Sequence, residues 1–332
     1  MRTPVSRTTH EMKINNVVLV TDVLKSLGSA TKAEAAAQTG LSVATCGTVL
    51  NDLCQSGEVL ALELESSRGG RPAQRYACNP DFFSLLSLYA EGSDDSSDLV
   101  WSVTSATGQV LAQGEVGFLP LTLENFIEQA AMLIKAYPNV KALGVGLPGV
   151  VAEGVVLSCD ISLFTGVPIA QRLRERLGLY VQADNDMNYT AWGFYRSSGA
   201  AATAPVAFLL KPEVPCTGCG IVINGQLLQG ASYFAGEVSY LPCNTPKPQL
   251  VQDELINIVL SLTATVNPAT VALSGPQVSE RLVAQIRERC AERIPERHIP
   301  ELVYRHSVRP DYLQGIAELT AQSYNLHRLF DR

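Results

Sequence analysis

Ala44, Thr45, Thr48 and Asn51 sit close together in this chain of 332 residues. They offer a methyl group, two hydroxyls and a short amide, the side chains that read base edges in a major groove, with Asn51 able to pair bidentately with adenine. Shortly downstream, Arg68, Arg71 and Arg75 flank a Gly-rich segment, and a guanidinium on such a segment reaches phosphates or a narrow minor groove. A third group is Cys216-Thr217-Gly218-Cys219, the spacing of half a zinc site.

Positioning the first group takes a helix. Cys46, Val49, Leu50 and Leu53 recur at i, i+3, i+4 and i+7, which predicts one buried stripe and leaves Ala44, Thr48 and Asn51 on the opposite face, flanked by Thr45 and Asp52. Ser42 is placed to cap that helix. Before it, Thr31 and Glu34 form a capping box for a shorter helix that Gly40 ends in a left-handed conformation. Residues 59–64 alternate as a strand, 65–72 read as a turn, and 75–78 return as its partner, so the three arginines are expected on the tip and return arm of a hairpin. Helix, turn, helix and hairpin together predict a winged helix-turn-helix with Ala44, Thr45, Thr48 and Asn51 as base contacts and Arg68 and Arg71 as phosphate or minor-groove contacts. A plain three-helix packing module and a solvated loop are the bland alternatives.

Composition agrees with a globular chain of two or three domains: 46% of residues are hydrophobic and 17% charged. No run approaches the ~18 apolar residues of a membrane span, and the N-terminus lacks an apolar signal core, so a cytoplasmic location is expected. Net charge is −7, but unevenly spread. Residues 1–80 hold eight Lys/Arg against seven Asp/Glu, leaving 17 against 25 for the remainder, so any DNA contact depends on where the few cations of the N-terminal part sit. Eight cysteines in such a chain read as free thiols. Cys243 is a distant third partner for the CxxC pair, and the histidines at 10, 298, 306 and 327 lie far away in sequence, so no metal is expected.

The remainder alternates strand and helix. Strands are predicted at 99–103, 110–113, 142–146, 180–183, 206–210 and 220–223, and helices at 122–137, 169–177, 187–195 and 310–323. Asn224-Gly225 marks a hairpin. The pattern restarts after the Ala-rich 200–204, which predicts two similar α/β halves with a cleft between them.

Several segments resemble the ROK family (repressors, open reading frames, kinases), and specifically its regulator branch. The sequence GGRP at 69–72 follows the predicted helix-turn-helix, and residues 144–149 (GVGLPG) look like the family's GxGxPG. Residues 158–168 lie where a segment like APNLPGWxGVP is typical, 184–188 (DNDMN) resemble END-A-N, and 235–238 (AGEV) resemble AGEIGH. The resemblance implies an actin-like, ribonuclease-H-like duplicated fold behind the winged helix. It implies a winged-helix domain at 1–80, a first lobe at 81–198 completed by 310–332, and a second lobe at 199–309. It also implies a sugar pocket between the lobes with Gly149, Asp160, Asn185, Asp186, Glu237 and Tyr240 as ligand-binding candidates.

This chain departs from the family pattern where phosphates are held. The early DIGGT cradle is replaced by 87–95 (SLYAEGSDD) with three carboxylates, and the second loop, normally GTGIGxG, reads VPCTGCG at 214–220, with a proline in place of a backbone donor. Tyr240 replaces the His of the family's zinc motif, and its cysteine cluster does not follow Cys243. Asp186 matches the kinase general base, but without a phosphate donor it is left to hydrogen-bond. Asn185 and Glu237 match residues that bracket sugar hydroxyls. Asn185 and Asp186 also fit a strand-to-helix turn in which the Asp merely caps the helix. The expected function is a regulator of carbohydrate-related genes, without enzymatic activity or cofactor. It would bind operator DNA as a homodimer or homotetramer, with a sugar-like effector and no membrane partner. A sugar kinase carrying a DNA-binding domain, and a regulator with a dead pocket, are the other readings.

Overall fold

The computed structural model describes residues 9–63, 73–92, 96–199, 201, 203–213, 216–242 and 250–330. At the N-terminus, α1 (Thr9–Leu27), α2 (Lys32–Thr39) and α3 (Val43–Ser56) pack on a small sheet of β1 (Ala30–Thr31), β2 (Val59–Ala61) and β3 (Arg75–Cys78) in the order β1-β3-β2. Its core joins Val17, Val20 and Leu24 of α1 to the whole stripe Cys46, Val49, Leu50 and Leu53. Both caps form as the side chains dictate. The Thr31–Glu34 box is reciprocal, Gly40 sits at φ 73°, and the Ser42 hydroxyl accepts from the Thr45 amide. The 19-residue α1, which completes this core, has no counterpart among the predicted elements.

The hairpin corrects one expectation: the first strand stops at Ala61 rather than running to 64. Arg75 lies on the return arm, as expected, where antiparallel pairing also sets it opposite Thr31, and its guanidinium donates to the Ser29 hydroxyl at 3.1 Å, the Ser29 carbonyl at 2.9 Å and Glu34. Its charge is spent on the start of α2. Arg68 and Arg71 lie outside the described residues.

The body contains two five-stranded sheets of the same plan. The first sheet and its helices comprise β4 (Ser84–Gly92), β5 (Ser97–Ser105), β6 (Val110–Phe118), α4 (Leu123–Ala136) and β7 (Val140–Leu147). The hairpin β8 (Gly149–Ala152) and β9 (Val155–Cys159) follows, then α5 (Ile169–Leu177), β10 (Tyr180–Asn185) and α6 (Asp186–Ser197). The second comprises β11 (Val206–Leu210), β12 (Gly218–Ile223), β13 (Gln226–Leu227), α7 (Val251–Thr265), β14 (Thr270–Ser274), α8 (Glu280–Ala291) and β15 (Glu301–Tyr304). The strand orders are β6-β5-β4-β7-β10 and β13-β12-β11-β14-β15. In each, three strands meander antiparallel and two more add in parallel, reached through helices as parallel connections require. Of the segment 87–95 read from sequence as a lost phosphate cradle, residues 87–92 belong to β4, the central strand of the first sheet, buried from Ser84 to Ala90.

The last helix, α9 (Arg309–Phe330), packs along α6 against the first sheet. The crossing needs glycine on both helices: a Cβ at Gly193 would fall 1.8 Å from the Asp311 carbonyl oxygen, and one at Gly315 would fall 1.8 Å from that of Tyr189. No described helix is long and apolar enough to cross a membrane.

Candidate functional site

The first candidate surface is the outer face of α3. Ala44, Thr48, Asn51 and Asp52 are exposed and Thr45 is half-buried, its hydroxyl 2.8 Å from that of Ser42. The Thr48 hydroxyl donates to the Ala44 carbonyl at 3.2 Å, which keeps it close to the helix, and the Asn51 amide oxygen accepts from Lys32 at 3.4 Å. Lys32 itself, whose ammonium stands 5.7 Å over the Tyr76 ring, is a cation beside this face that the sequence pattern did not single out. It begins α2, 19 residues from Asn51, and only the folding of α2 against α3 makes them neighbours.

The second is the cleft where β10 runs into α6. Asn185 is the N-cap of α6: its side-chain oxygen accepts from the Asn188 amide at 3.0 Å and its nitrogen donates to the Gly149 carbonyl at 2.5 Å. The cap is therefore Asn185, not Asp186, and Asn185 retains one donor and one acceptor position for anything else. Gly149 holds φ 145° because a side chain there would run into the Ser158 carbonyl, which β8–β9 pairing brings alongside.

Asp186 opens α6, with one carboxylate oxygen accepting from the Met187 amide at 2.9 Å. Burial pushes its carboxyl up to about 7, and the charges of Asp160 and Glu237 add to the shift. Glu237, itself raised by burial and by Asp160, follows Gly236 on the second half and so faces the first across the cleft. The Cys216 thiol, raised first by burial, feels all three carboxylates as well. Asp160, Asp186 and Glu237 are thus brought together, with Gly149 and Asn185 beside them. Tyr240 is not among them: its ring is 75% exposed and packs on Phe234 at 5.2 Å. The other carboxylate of the DNDMN segment is not among the candidates read from sequence. Asp184, buried, accepts from the Asn185 amide at 2.7 Å and the Asn188 side chain at 2.8 Å, and its alternation with Asn185 along β10 was the available signal.

The segments aligned with phosphate loops hold ion pairs instead. Glu91, at the end of β4, accepts from Arg309 at the start of α9, and Arg309 also reaches Glu115 at 2.7 Å. The negative charge expected there is therefore partnered at Glu91, while residues 93–95 lie outside the described residues. In the second half, the buried Lys211 ammonium lies 2.9 Å from Glu254, which also accepts from the Thr217 hydroxyl. Gly220, read as a remnant of the second loop, lies in β12, where a Cβ would fall 2.0 Å from the Met187 carbonyl oxygen. Its smallness lets β12 lie against the first turn of α6.

Among the described residues no group of three or more His, Cys, Asp or Glu is arranged to hold a metal ion. Cys219, of the CxxC pair, is buried and its thiol is pushed up to about 12, the opposite of what thiolate ligation requires. Cys243 lies outside the described residues.

The geometry agrees with what the chain resembles. Residues 97–250, a little under half of the chain, match the ROK family model. A putative xylose repressor of Caldicellulosiruptor sp. (strain Rt8B.4) is 26% identical over 242 residues, covering 69% of this chain and 58% of the repressor, so this chain spans under two thirds of that relative's length. A glucokinase of Halalkalibacterium halodurans is 29% identical over 124 residues, covering 34% of this chain and 37% of the kinase. Among solved structures, a ROK family transcriptional regulator described as a homolog of the E. coli MLC protein superposes with a TM-score of 0.74 at 16% identity, over 97% of this chain and 100% of the other. At that identity the likeness establishes the fold.

Proposed function

We propose that this ROK-family chain is a transcriptional regulator that binds operator DNA through a winged helix-turn-helix and takes a sugar-like effector in the Asp186 cleft. The observation that carries the reading is the face of α3: small and polar, exposed, and mounted behind a capped α2 and ahead of a hairpin, on a body similar to that of named repressors. A surface helix that only met solvent would carry long charged side chains. This one offers Ala44, Thr45, Thr48 and Asn51, which let its axis settle into a major groove.

In this reading α3 enters the groove and Asn51 pairs with an adenine. Arg68 and Arg71 contact phosphate or minor groove, and Lys32, beside Asn51, adds a phosphate contact. Two copies in a homodimer, or four in a homotetramer, meet half-sites about 34 Å or a multiple apart. Such a partner places the protein in the cytoplasm. The domains follow as residues 1–80, 81–198 with 310–332, and 199–309.

Effector hydroxyls meet Asp160, Asp186 and Glu237, with Asn185 and Gly149 shaping the wall and Tyr240 at the rim. Near neutral pH Asp186 exchanges between donor and acceptor, as suits a hydroxyl ligand. Phosphoryl transfer is not part of this reading, because Arg309 and Lys211 already hold carboxylates in the segments that would cradle a nucleotide.

The test is gel-shift or fluorescence-anisotropy selection of a binding sequence from a random duplex library with the full chain, repeated with Asn51→Ala. A selected palindromic motif whose preference relaxes at one base step in Asn51→Ala supports the reading. Failure to select any sequence overturns it, and ADP release with a hexose panel that vanishes in Asp186→Asn would establish the kinase instead.

A further inference from the structure

A cleft of about 340 Å³ runs along β10, the edge strand of the first sheet, and is walled by α5, the β8–β9 turn, α9 and the loop after β13 on the second half. Asp160, Asp186 and Glu237 do not line it. Its size falls at the lower end of the ~300–1,000 Å³ typical of small-molecule sites.

Its walls are polar and incompletely satisfied. The Gln182 carbonyl oxygen is buried and has no hydrogen-bond partner among the described residues. The second oxygen of buried Asp184 receives only a 3.4 Å contact from Gln229, a residue of the other half. At the far wall Glu153, on the β8–β9 turn, accepts from the Tyr233 hydroxyl at 3.5 Å, again across the two halves. Both residues hold left-handed backbones, φ 50° and 60°, a conformation that costs a non-glycine residue free energy and clusters at functional sites. Arg174 directs Nε and Nη2 at the Val181 carbonyl, 3.1 and 2.7 Å away, so part of its donating capacity serves the bare strand edge.

We propose that this cleft is a second ligand site, for a small uncharged polyhydroxylated molecule such as a mono- or disaccharide or a polyol, which bridges the two halves of the body. Acceptors predominate on its walls: Gln182, Asp184 and Glu153 require donors, and the remaining Arg174 N–H groups offer donors. A hydroxyl both gives and accepts, so a polyol meets all four with one kind of group. An anion could pair with Arg174 but would face the carboxylates of Asp184 and Glu153 and leave Gln182, Asp184 and Glu153 without donors, and the carboxylate of a free amino acid would meet the same obstacle. The proposal does not depend on the Asp186 cleft holding a sugar.

The test is isothermal calorimetry of the full chain with xylose, glucose, N-acetylglucosamine, sucrose and sorbitol, and with glutamine and spermidine as competitors of other chemistry. It is repeated on Gln182→Leu, on Glu153→Ala at the exposed turn, and on Asp186→Asn. The expected result is saturable binding of at least one polyol that survives in Asp186→Asn and weakens about tenfold or more in Gln182→Leu, the loss expected when a buried hydrogen bond is removed. Should Gln182→Leu fail to fold, by circular dichroism, Glu153→Ala decides, with a several-fold loss expected. The proposal is overturned if no polyol binds, if binding follows Asp186 alone, or if only glutamine or spermidine binds. The first and third outcomes leave the DNA-binding reading intact, which the duplex selection tests separately.

Discussion

Arg328, in the last turn of α9, donates to Glu58 at 2.6 Å, joining the C-terminal helix to the residue just before β2 across 270 positions of the chain. Both side chains are largely buried, and the guanidinium also stacks 4.9 Å over the Phe82 ring. Leu329 reaches into the core of the N-terminal helices. A 22-residue helix spans about 33 Å, so α9 runs from its crossing with α6, whose first turn bears Asp186, to the foot of the N-terminal hairpin. Its two ends thus touch the helix that bears Asp186 and the core of the N-terminal helices.

Breaking the Arg328–Glu58 pair should be costly because one charge is left buried. Arg328→Met is expected to destabilise the protein by ~3–5 kcal/mol in urea denaturation, with part of the loss recovered in Arg328→Met/Glu58→Leu, where no buried charge remains. If the double variant is less stable than the single one, the pair is not the source of the effect.

The Asp186 carboxyl rises from 3.8 to about 7 in the folded protein, chiefly through burial. Folding therefore favours its neutral form. The associated stability is full below pH 3.8 and is lost progressively as pH rises to about 7. Asp186→Asn carries no such loss. Its stability relative to the parent should climb across this window by on the order of 4 kcal/mol and level off above it. A difference that stays constant from pH 4 to 8 in thermal melts would count against a raised carboxyl.

Lys211 and Glu254 are buried to 8% and 16% side-chain exposure, with Thr217 as a third member. Lys211→Met should cost ~3–5 kcal/mol by stranding Glu254, whereas Lys211→Met/Glu254→Leu should come close to the parent. Equilibrium dialysis with ATP is expected to show no binding by the double variant, because removing the ion pair does not restore the glycines and backbone donor missing from 214–220.

Gly193→Ala places a methyl against the Asp311 backbone where no flexible side chain can yield. Overpacking of this kind costs ~1–3 kcal/mol or more, and α6 must move to relieve it. The melting temperature should drop and hydrogen exchange should quicken in both α6 and α9. Unchanged exchange in α9 would mean that the two helices are not coupled at this crossing.

For α3, Asn51→Ala is expected to relax preference at one base step by ~1–3 kcal/mol, while Arg71→Ala should weaken all duplexes alike and flatten the salt dependence. An unchanged selected motif in Asn51→Ala would remove Asn51 from the base readers.

Local rules made much of this protein legible. Cap chemistry at Thr31, Gly40 and Ser42, the stripe from Cys46 to Leu53, the helix ending at Gly178 and the Asn224-Gly225 hairpin all depend on residues within a few positions of one another, and each forms as expected. What local rules missed are partners that lie far away. Arg75 is tied to Ser29 and Glu34 once β3 pairs with β1, and Asn185 closes on Gly149 while keeping one donor and one acceptor position. Residues 87–92, read as part of a lost phosphate cradle, gave no sign of a strand because one buried on both faces loses its alternation, leaving nothing periodic to distinguish it.

What the amino-acid sequence by itself determined is the capped helix pair and hairpin, the two-half plan and the small polar face of α3, because these follow from spacing and capping within single segments. Tertiary structure alone decided which charges are available. Glu91 is partnered by Arg309, Lys211 by Glu254 and Glu58 by Arg328, while Asp160, Asp186 and Glu237 converge, with Asp160 raising the proton affinity of the other two and Glu237 adding to that of Asp186. The physical reason is that electrostatic interactions and desolvation act through space at a few ångströms, and chain separation carries no information about that distance until the fold has closed.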